Sequence, residues 1–600
     1  MRRREVEQEV LKGMVPTPTQ SRMPLRPADF SGLAEALDYA ALGEAGANFY
    51  DGRGNLETVL PYSELRERAI ATARRMIGLG LNRGDRVGLV AETTPDFLIF
   101  FFACQYAGVV PAPLTAAITL GSRRSYVEQL HGLLENSAAA MLVAPAGYET
   151  YFAGAAEGLG LKFCGTPEEF AQLPQADVEL QPLKDGEIAY IQYTSGSTRF
   201  PRGVLITEEA VLENLQGIIK QGIKVRPDDR FFSWLPFYHD MGLIGLVLTP
   251  VASQTSVDYM GTREFAMRPR LWLELLTRTK CTISFGPPFG YELCARRLRD
   301  GDVARYDLSN WRMAGVGAEM IRAEVLHSFA EALAPSGFRE EAFLPSYGMA
   351  ECSLAISFSS LDKPFEVDVI DSERLSNSGE ALPIDENTDP GRARGFVYCG
   401  VPLPSYEVEI RDADDQPLPD RRAGTIFVRG PSVMSGYFNE PEITAQTLSA
   451  DGWLNTGDVG YRVDGRLIIT GRQKDIIIIN GRNIWPQDLE YLAEQQPEIR
   501  TGDALAFSAP GPDGSEVPVL VVQCRLQDET RRAALIDRLE KLVSEELGIQ
   551  CQVQLVPAHF LPRTSSGKLS RSKARQNYIG RCPQPGEESA AETILERAAS

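Results

Sequence analysis

From about residue 30 to 350 two hydrophobic patterns alternate along the chain. Stretches such as Tyr62 to Leu79 place apolar residues three and four apart, the period of a helix with one buried face, whereas Arg86 to Val90 and Ala139 to Val143 are short apolar runs of strand length. Alternation of the two predicts α/β layering. The most apolar stretch, Phe97 to Leu120, is interrupted by Gln105, Pro111 and Pro113, which predicts a buried helix followed by a strand and no membrane span. From about 395 to 470 the pattern changes to short β-like runs, Ser405 to Ile410, Gly424 to Val428 and Arg466 to Thr470, separated by Pro, Gly and Asp. A last unit holds Ala504 to Phe507, Val517 to Cys524 and a helical pattern near Arg531 to Leu547, enough for a compact α+β domain. The predicted organisation begins with a flexible, proline-containing leader over 1–27. A large N-terminal α/β domain over 28–473 follows, with a β-rich subdomain at about 395–470, then a small α+β C-terminal domain over 474–580 and a flexible tail over 581–600.

Charge and composition narrow the partners. Of 600 residues, 61 are Lys or Arg and 81 Asp or Glu, a formal charge of −20 that argues against nucleic acid or an anionic membrane as partner. Nine cysteines without a CxxC pair predict reduced thiols and a cytoplasmic location. Four histidines and no HExxH leave little material for a zinc centre. Arg2 to Arg4 are followed by Glu5, Glu7 and Glu9 where a signal peptide needs its apolar core, so export is not expected.

The segment Tyr193-Thr194-Ser195-Gly196-Ser197-Thr198-Arg199-Phe200-Pro201-Arg202-Gly203-Val204 concentrates hydroxyls and glycine between two strand patterns, Ile188 to Tyr193 and Val204 to Ile206. Thr207 is placed to cap a helix running to about Lys220. A Walker A loop opens a helix and carries GKS or GKT, neither of which occurs here. A hydroxyl-rich turn between strands can still wrap a polyphosphate, because glycine admits close approach and each O–H or N–H donates to a phosphate oxygen. Arg202 adds a fixed positive charge. Taken alone, the segment also fits a Ser/Thr-rich surface turn.

The loop resembles the core motif of the adenylate-forming superfamily, which includes acyl-CoA synthetases, luciferases and nonribosomal peptide adenylation domains. Four further motifs follow in the family's order: Ser346-Tyr347-Gly348-Met349-Ala350-Glu351, Thr456-Gly457-Asp458, Gly471-Arg472-Gln473-Lys474-Asp475 and Pro562-Arg563-Thr564-Ser565-Ser566-Gly567-Lys568. Within the superfamily, Trp234 to Gly245 and Gly317-Ala318-Glu319 are most similar to the fatty acyl-AMP ligases, as is the Asp-, Glu-, Ser- and Pro-rich stretch at about 358–394, where those enzymes carry an insertion. Two positions depart from the superfamily loop: Arg199 stands where Gly is usual, and Arg202, with its planar head, where Lys is usual.

The resemblance implies ATP and Mg²⁺, a fatty acid substrate, and delivery of the acyl group to the phosphopantetheine thiol of an acyl carrier protein. It implies that Thr194, Ser195, Gly196, Ser197 and Thr198 cradle the phosphates, and that Glu351, with Thr198, holds Mg²⁺. Tyr347, in the run Ser346, Tyr347, Gly348 and Met349, stacks on adenine, beside Gly317, Ala318 and Glu319. Asp458 accepts from the ribose hydroxyls, and Arg472 reaches ribose or phosphate. His239 lies near the acyl carboxylate and Arg202 near the phosphates. Lys568 stands between carboxylate and α-phosphate, and Lys474 marks the point about which a mobile C-terminal domain rotates between half-reactions. Arg563 to Arg575 form a basic surface that an acidic carrier protein can meet. The rivals are an acyl-CoA synthetase with the same first step, and a non-catalytic acyl-nucleotide-binding protein in which Arg199 and Arg202 mark lost chemistry.

Overall fold

The computed structural model describes residues 23–116, 123–194, 201–299, 301–385, 388–479, 482–500, 502–510, 516–564 and 568–580. Six parallel strands make the centre of a nine-stranded sheet, in the order Phe343–Gly348, Met313–Val316, Ile283–Gly286, Arg230–Ser233, Ser256–Met260 and Gly46–Tyr50. Antiparallel strands Ala355–Phe358 and Val401–Pro402 extend one edge and Leu56–Pro61 the other. A second, wholly parallel sheet joins Val110–Leu114, Arg86–Val90, Ala139–Val143 and Phe163–Gly165. Parallel strands need crossovers, and helices such as Pro95–Ala107, between Arg86–Val90 and Val110–Leu114, supply them, which is why the two patterns alternate in the sequence. Helix Pro95–Ala107 is apolar all round and buried from Phe97 to Ala107; it starts on a proline and stops at Gly108, whose φ of 70° is left-handed.

The β-rich subdomain is a four-stranded antiparallel sheet of Glu407–Arg411, Gly424–Arg429, Leu454–Val463 and Arg466–Arg472. Beyond the turn Gln473–Asp475 a separate hydrophobic cluster begins at Ile477. It belongs to a three-stranded sheet, Ala504–Pro510, Glu516–Gln523 and Gln552–Val556, packed with helices Pro486–Glu494, Glu529–Leu547 and Arg571–Ile579.

Two segments are more ordered than their composition predicts. Within the expected leader, Pro24 O accepts from Tyr39 Oη at 2.8 Å, Arg26 N donates to Gln254 Oε1 at 2.9 Å, and the Arg26 guanidinium lies over the Phe30 ring at 4.3 Å. Residues 1–22 and 581–600 lie outside the described residues. The polar stretch at 358–394 contains the strand Val367–Asp371, paired with Ala393–Val397, and the helix Ser372–Ser378, capped by the Asp371 carboxylate. Of its apolar side chains, Ile370 and Leu375 join a buried cluster with Phe396, Tyr461 and Trp485.

The strands flanking the phosphate loop, Ile188–Tyr193 and Gly203–Thr207, form an antiparallel pair. Thr207 caps the following helix, Glu208–Gly217, through Ala210 N. Glu208 is fully buried, its Oε2 accepting from Leu33 N at 2.8 Å, and burial pushes its carboxyl up to about 8 from the ordinary 4.5. The folded chain therefore holds that proton more firmly than the unfolded one, so this contribution to stability is complete below pH ~4.5 and is lost as pH rises through ~8. Glu208→Gln is expected to melt above the wild type near pH ~9 and close to it near pH ~5. Calorimetric scans at the two pH values check this, and coincident melts at the higher one would refute it.

Candidate active site

The base of the phosphate loop is closed by Thr194 N donating to Arg202 O at 3.0 Å, with Arg202 N 3.4 Å from Thr194 Oγ1. Ser195, Gly196, Ser197, Thr198 and Arg199 lie outside the described residues. Arg202 Nε is 3.5 Å from Glu440 Oε2, and its guanidinium lies 5.5 Å from the centre of the Tyr437 ring. Tyr437 reaches this position because Gly436–Tyr437 pairs with Leu205 and Val204. Its hydroxyl donates to Glu351 Oε1 at 2.9 Å, so the candidate metal carboxylate and the loop's cation share one tyrosine.

Glu351 sits in a short turn, Ala350–Cys352, between strands Phe343–Gly348 and Ala355–Phe358. The turn depends on Gly348, where a Cβ would stand 1.9 Å from Leu354 O, and Met349 N donates to the same carbonyl at 2.8 Å. Burial pushes the Glu351 carboxyl up, partly offset by the Tyr437 hydrogen bond and the Arg472 charge. A cation would draw it back down. Among the described residues no group of three or more His, Cys, Asp or Glu side chains converges on a common point. One buried carboxylate fits a Mg²⁺ that takes its other ligands from phosphate oxygens and water.

Asp458 and Arg472 face each other directly on neighbouring antiparallel strands, with Arg472 Nε 3.0 Å from Asp458 Oδ1. Tyr347 Oη donates to the other oxygen, Oδ2, at 2.8 Å. The tyrosine is therefore fixed by its hydroxyl while its ring lines the cleft. Gly317, Ala318 and Glu319 follow strand Met313–Val316 at its carboxyl end, the position where open parallel sheets form their crevice. Gly317 is needed because a Cβ would lie 2.8 Å from Ser346 O, and Ser346 Oγ donates to Val316 O at 3.2 Å. Glu319 Oε1 accepts from Phe289 N at 3.2 Å, and burial pushes its carboxyl up.

His239 begins the short helix Asp240–Leu243, its Nδ1 2.6 Å from Asp240 Oδ1. Burial works against ionisation of Asp240, but His239 and Lys568 together hold its carboxyl below the usual range. Lys568 comes from the C-terminal domain and donates from Nζ to Ala318 O at 2.6 Å. Burial lowers its ammonium, while Glu319 and Asp240 favour the charged form. Lys474, in the turn between the two domains, is likewise lowered by burial and by Arg472.

These groups line a single cleft of about 2860 Å³ between the N-terminal domain and the C-terminal domain. Thr194 and Arg202, Tyr347 and Glu351, Asp458 and Arg472, His239 and Lys568 all reach it. Asp240 stands beside His239 in the sequence and pairs with it in the structure, although no motif marks it as a site residue. Tyr437 and Glu440 belong to no motif and arrive only through strand pairing. Over Arg563 to Arg575, Arg571 Nη2 is 2.6 Å from Glu490 Oε2, while Arg563, Lys573 and Arg575 are exposed, Arg575 Nε donating to Ser508 O at 2.7 Å.

Residues 44–438 match the family model described as AMP-binding enzyme. A Caulobacter vibrioides protein, provisionally named an acyl-CoA synthetase, is 48% identical over 94% of this chain and 98% of its own. A medium-chain-fatty-acid–[acyl-carrier-protein] ligase of Moorena producens is 31% identical over 92% and 95%. A solved structure from work on fatty acyl-adenylate ligases of E. coli and L. pneumophila superposes with a TM-score of 0.89 at 48% identity, covering 92% of this chain and 99% of that one. No helix among the described residues is long and apolar enough to cross a membrane.

Proposed function

Because the chain belongs to the AMP-binding enzyme family, we propose that it uses ATP to convert a fatty acid into its acyl-adenylate, releasing pyrophosphate, and passes the acyl group to the phosphopantetheine thiol of an acyl carrier protein. The observation that carries this reading is Lys568 Nζ, delivered by the second domain to Ala318 O, inside the cleft that holds Glu351, Asp458 and Arg472.

The chemistry asks little in the way of proton transfer. A fatty carboxylate, with a pKa near ~4.5 by analogy with Glu, is ionised at neutral pH. One of its oxygens bonds to the α-phosphorus, the bond from that phosphorus to the bridging oxygen of the β-phosphate breaks, and pyrophosphate leaves with the electron pair. The difficulty is electrostatic, since an anion attacks a polyanion. The Lys568 ammonium, which burial disfavours and Glu319 and Asp240 favour, would face both reactants. Asp458 offers its carboxylate to the ribose, Tyr347 its ring to the base, and Arg472 a cation on the hinge side. Glu351 would hold Mg²⁺, which supplies charge neutralisation of the phosphates when bound.

The acceptor thiol separates this reading from its rival, which the name of the Caulobacter relative favours. Fatty acid, ATP and Mg²⁺ are supplied, and coenzyme A and a holo acyl carrier protein are then offered in separate reactions followed by mass spectrometry. Acyl carrier protein is expected to be loaded while acyl-AMP persists beside coenzyme A; acyl-CoA formation at a comparable rate would make the chain an acyl-CoA synthetase. The segment at 358–394 supports the first outcome, because its Arg394 pairs with Asp488 of the C-terminal domain and its apolar cluster includes Trp485 of that domain. A restrained second domain is less free to reach a thiol-transfer arrangement with coenzyme A. Arg394→Ala is therefore expected to raise acyl-CoA output several-fold, ~3 to 10 for the loss of a partly buried ion pair. An unchanged output would remove the restraint from the account.

A further inference from the structure

The C-terminal domain grips one short piece of the N-terminal domain twice. Ala318 O accepts from Lys568 Nζ at 2.6 Å. Four residues on, at the N-cap of helix Ala323–Leu333, Arg322 Nη1 meets Oε2 of Glu494, the last residue of helix Pro486–Glu494, at 2.5 Å. Ion pairs between exposed, flexible side chains contribute little. This one is different, because the Glu494 side chain is only 7% exposed and Arg322 also lies 3.5 Å from Glu292 Oε2.

The second Glu494 oxygen leads back to Lys568. Glu494 Oε1 accepts from Gly502 N at 2.6 Å, at a residue whose φ of 75° is left-handed. Gly502 O accepts from Arg563 Nη2 at 3.2 Å. Arg563 and Leu569 form a bridge, and Thr564 N donates to Lys568 O at 2.7 Å. The contacts run in a ring from Arg322 through Glu494, Gly502 and Arg563 to Lys568, and from Lys568 back to Ala318.

We propose that Arg322 and Glu494 are positioning residues for adenylation: their ion pair sets the register of the C-terminal domain against Ala318–Arg322, and thereby where the Lys568 ammonium stands. A lysine side chain has several rotatable bonds, and one hydrogen bond to a carbonyl does not determine the placement of a whole domain. A second contact on a different element removes the rotation that the first leaves free. Reacting groups displaced by ~1 Å lose ~100-fold in rate, so a loosened register is felt at the chemical step. The inference rests on the adenylation reading and goes beyond it, since neither residue belongs to the motifs that contact the nucleotide.

The test uses the full chain carrying Arg322→Ala, Glu494→Gln, or both. Glu494→Gln is nearly isosteric and keeps an acceptor for Gly502 N, so it decides the question if Arg322→Ala folds poorly. Pyrophosphate release at saturating ATP and fatty acid is expected to fall about tenfold in each single variant. The double variant is expected to be no slower than the slower single one. Consumption of preformed acyl-AMP by thiol is expected to stay within about twofold of wild type, because Lys568 takes no part in it. Unchanged pyrophosphate release, a double variant whose loss is the product of the single losses, or both half-reactions falling together with the melting temperature would each overturn the proposal. A wild-type chain that forms no acyl-AMP is a separate result and sinks the adenylation reading instead.

Discussion

Replacing Lys568 by alanine is expected to cut acyl-AMP formation about 10²- to 10³-fold, the loss that follows removal of one preorganised charge-stabilising donor, or about 2.7–4 kcal/mol. The ammonium is half-buried, donates to Ala318 O at 2.6 Å, and is favoured in its charged form by Glu319 and Asp240. Its removal leaves those two carboxylates facing the incoming anions with nothing between them. The rate of thiol transfer from acyl-AMP supplied ready-made is expected to change little, because on the proposed rotation of the C-terminal domain the lysine leaves the site before that step. Single-turnover assays of each half-reaction check this. Equal loss in both would refute the division of labour between the two closed arrangements.

Asp458→Ala is expected to raise the KM for ATP about 10- to 100-fold, with a smaller fall in kcat. Hydrogen bonds to a charged group contribute about 1.5–3 kcal/mol each. Asp458 is the acceptor for Tyr347 Oη and the counter-ion of Arg472, so its loss removes a ribose acceptor and frees both neighbours at once. Tyr347→Phe, which deletes only one of these hydrogen bonds, is expected to raise the KM for ATP less. A KM for ATP unchanged in Asp458→Ala would place the nucleotide elsewhere in the cleft. Titration of ATP against the initial rate in each variant measures the difference.

Much of the core was legible because its signals are local. The strands Arg86–Val90 and Ala139–Val143 occur at the residues their apolar runs predict, and Thr207 caps its helix as its position predicts. Helix Tyr62–Gly78 follows from a 3.6-residue period that one turn of chain reveals. The segment at 358–394 was not legible. Its composition is that of a loop, yet Ile370 and Leu375 find Tyr461 and Trp485, which lie about 90 and 110 residues further along the chain. Nor did sequence reveal Tyr437 and Glu440 beside Arg202, or the meeting of Arg322 with Glu494, since each pair is brought together only by packing of segments more than 150 residues apart.

The chain's residues, read in order, determined the α/β layering and the identity of most of the chemical groups in the cleft: a hydroxyl-rich loop, the carboxylates of Glu351 and Asp458, and a lysine near the end of the chain. Tertiary structure alone decided their partners. Asp458 faces Arg472 because a hairpin register puts them opposite, and Lys568 meets Ala318 because a second domain packs across 250 residues of sequence. Periodicity and caps arise from atoms within a few residues of one another, so they are written locally. The field inside a cleft depends on strand order and domain packing, which sum over contacts far apart in the chain.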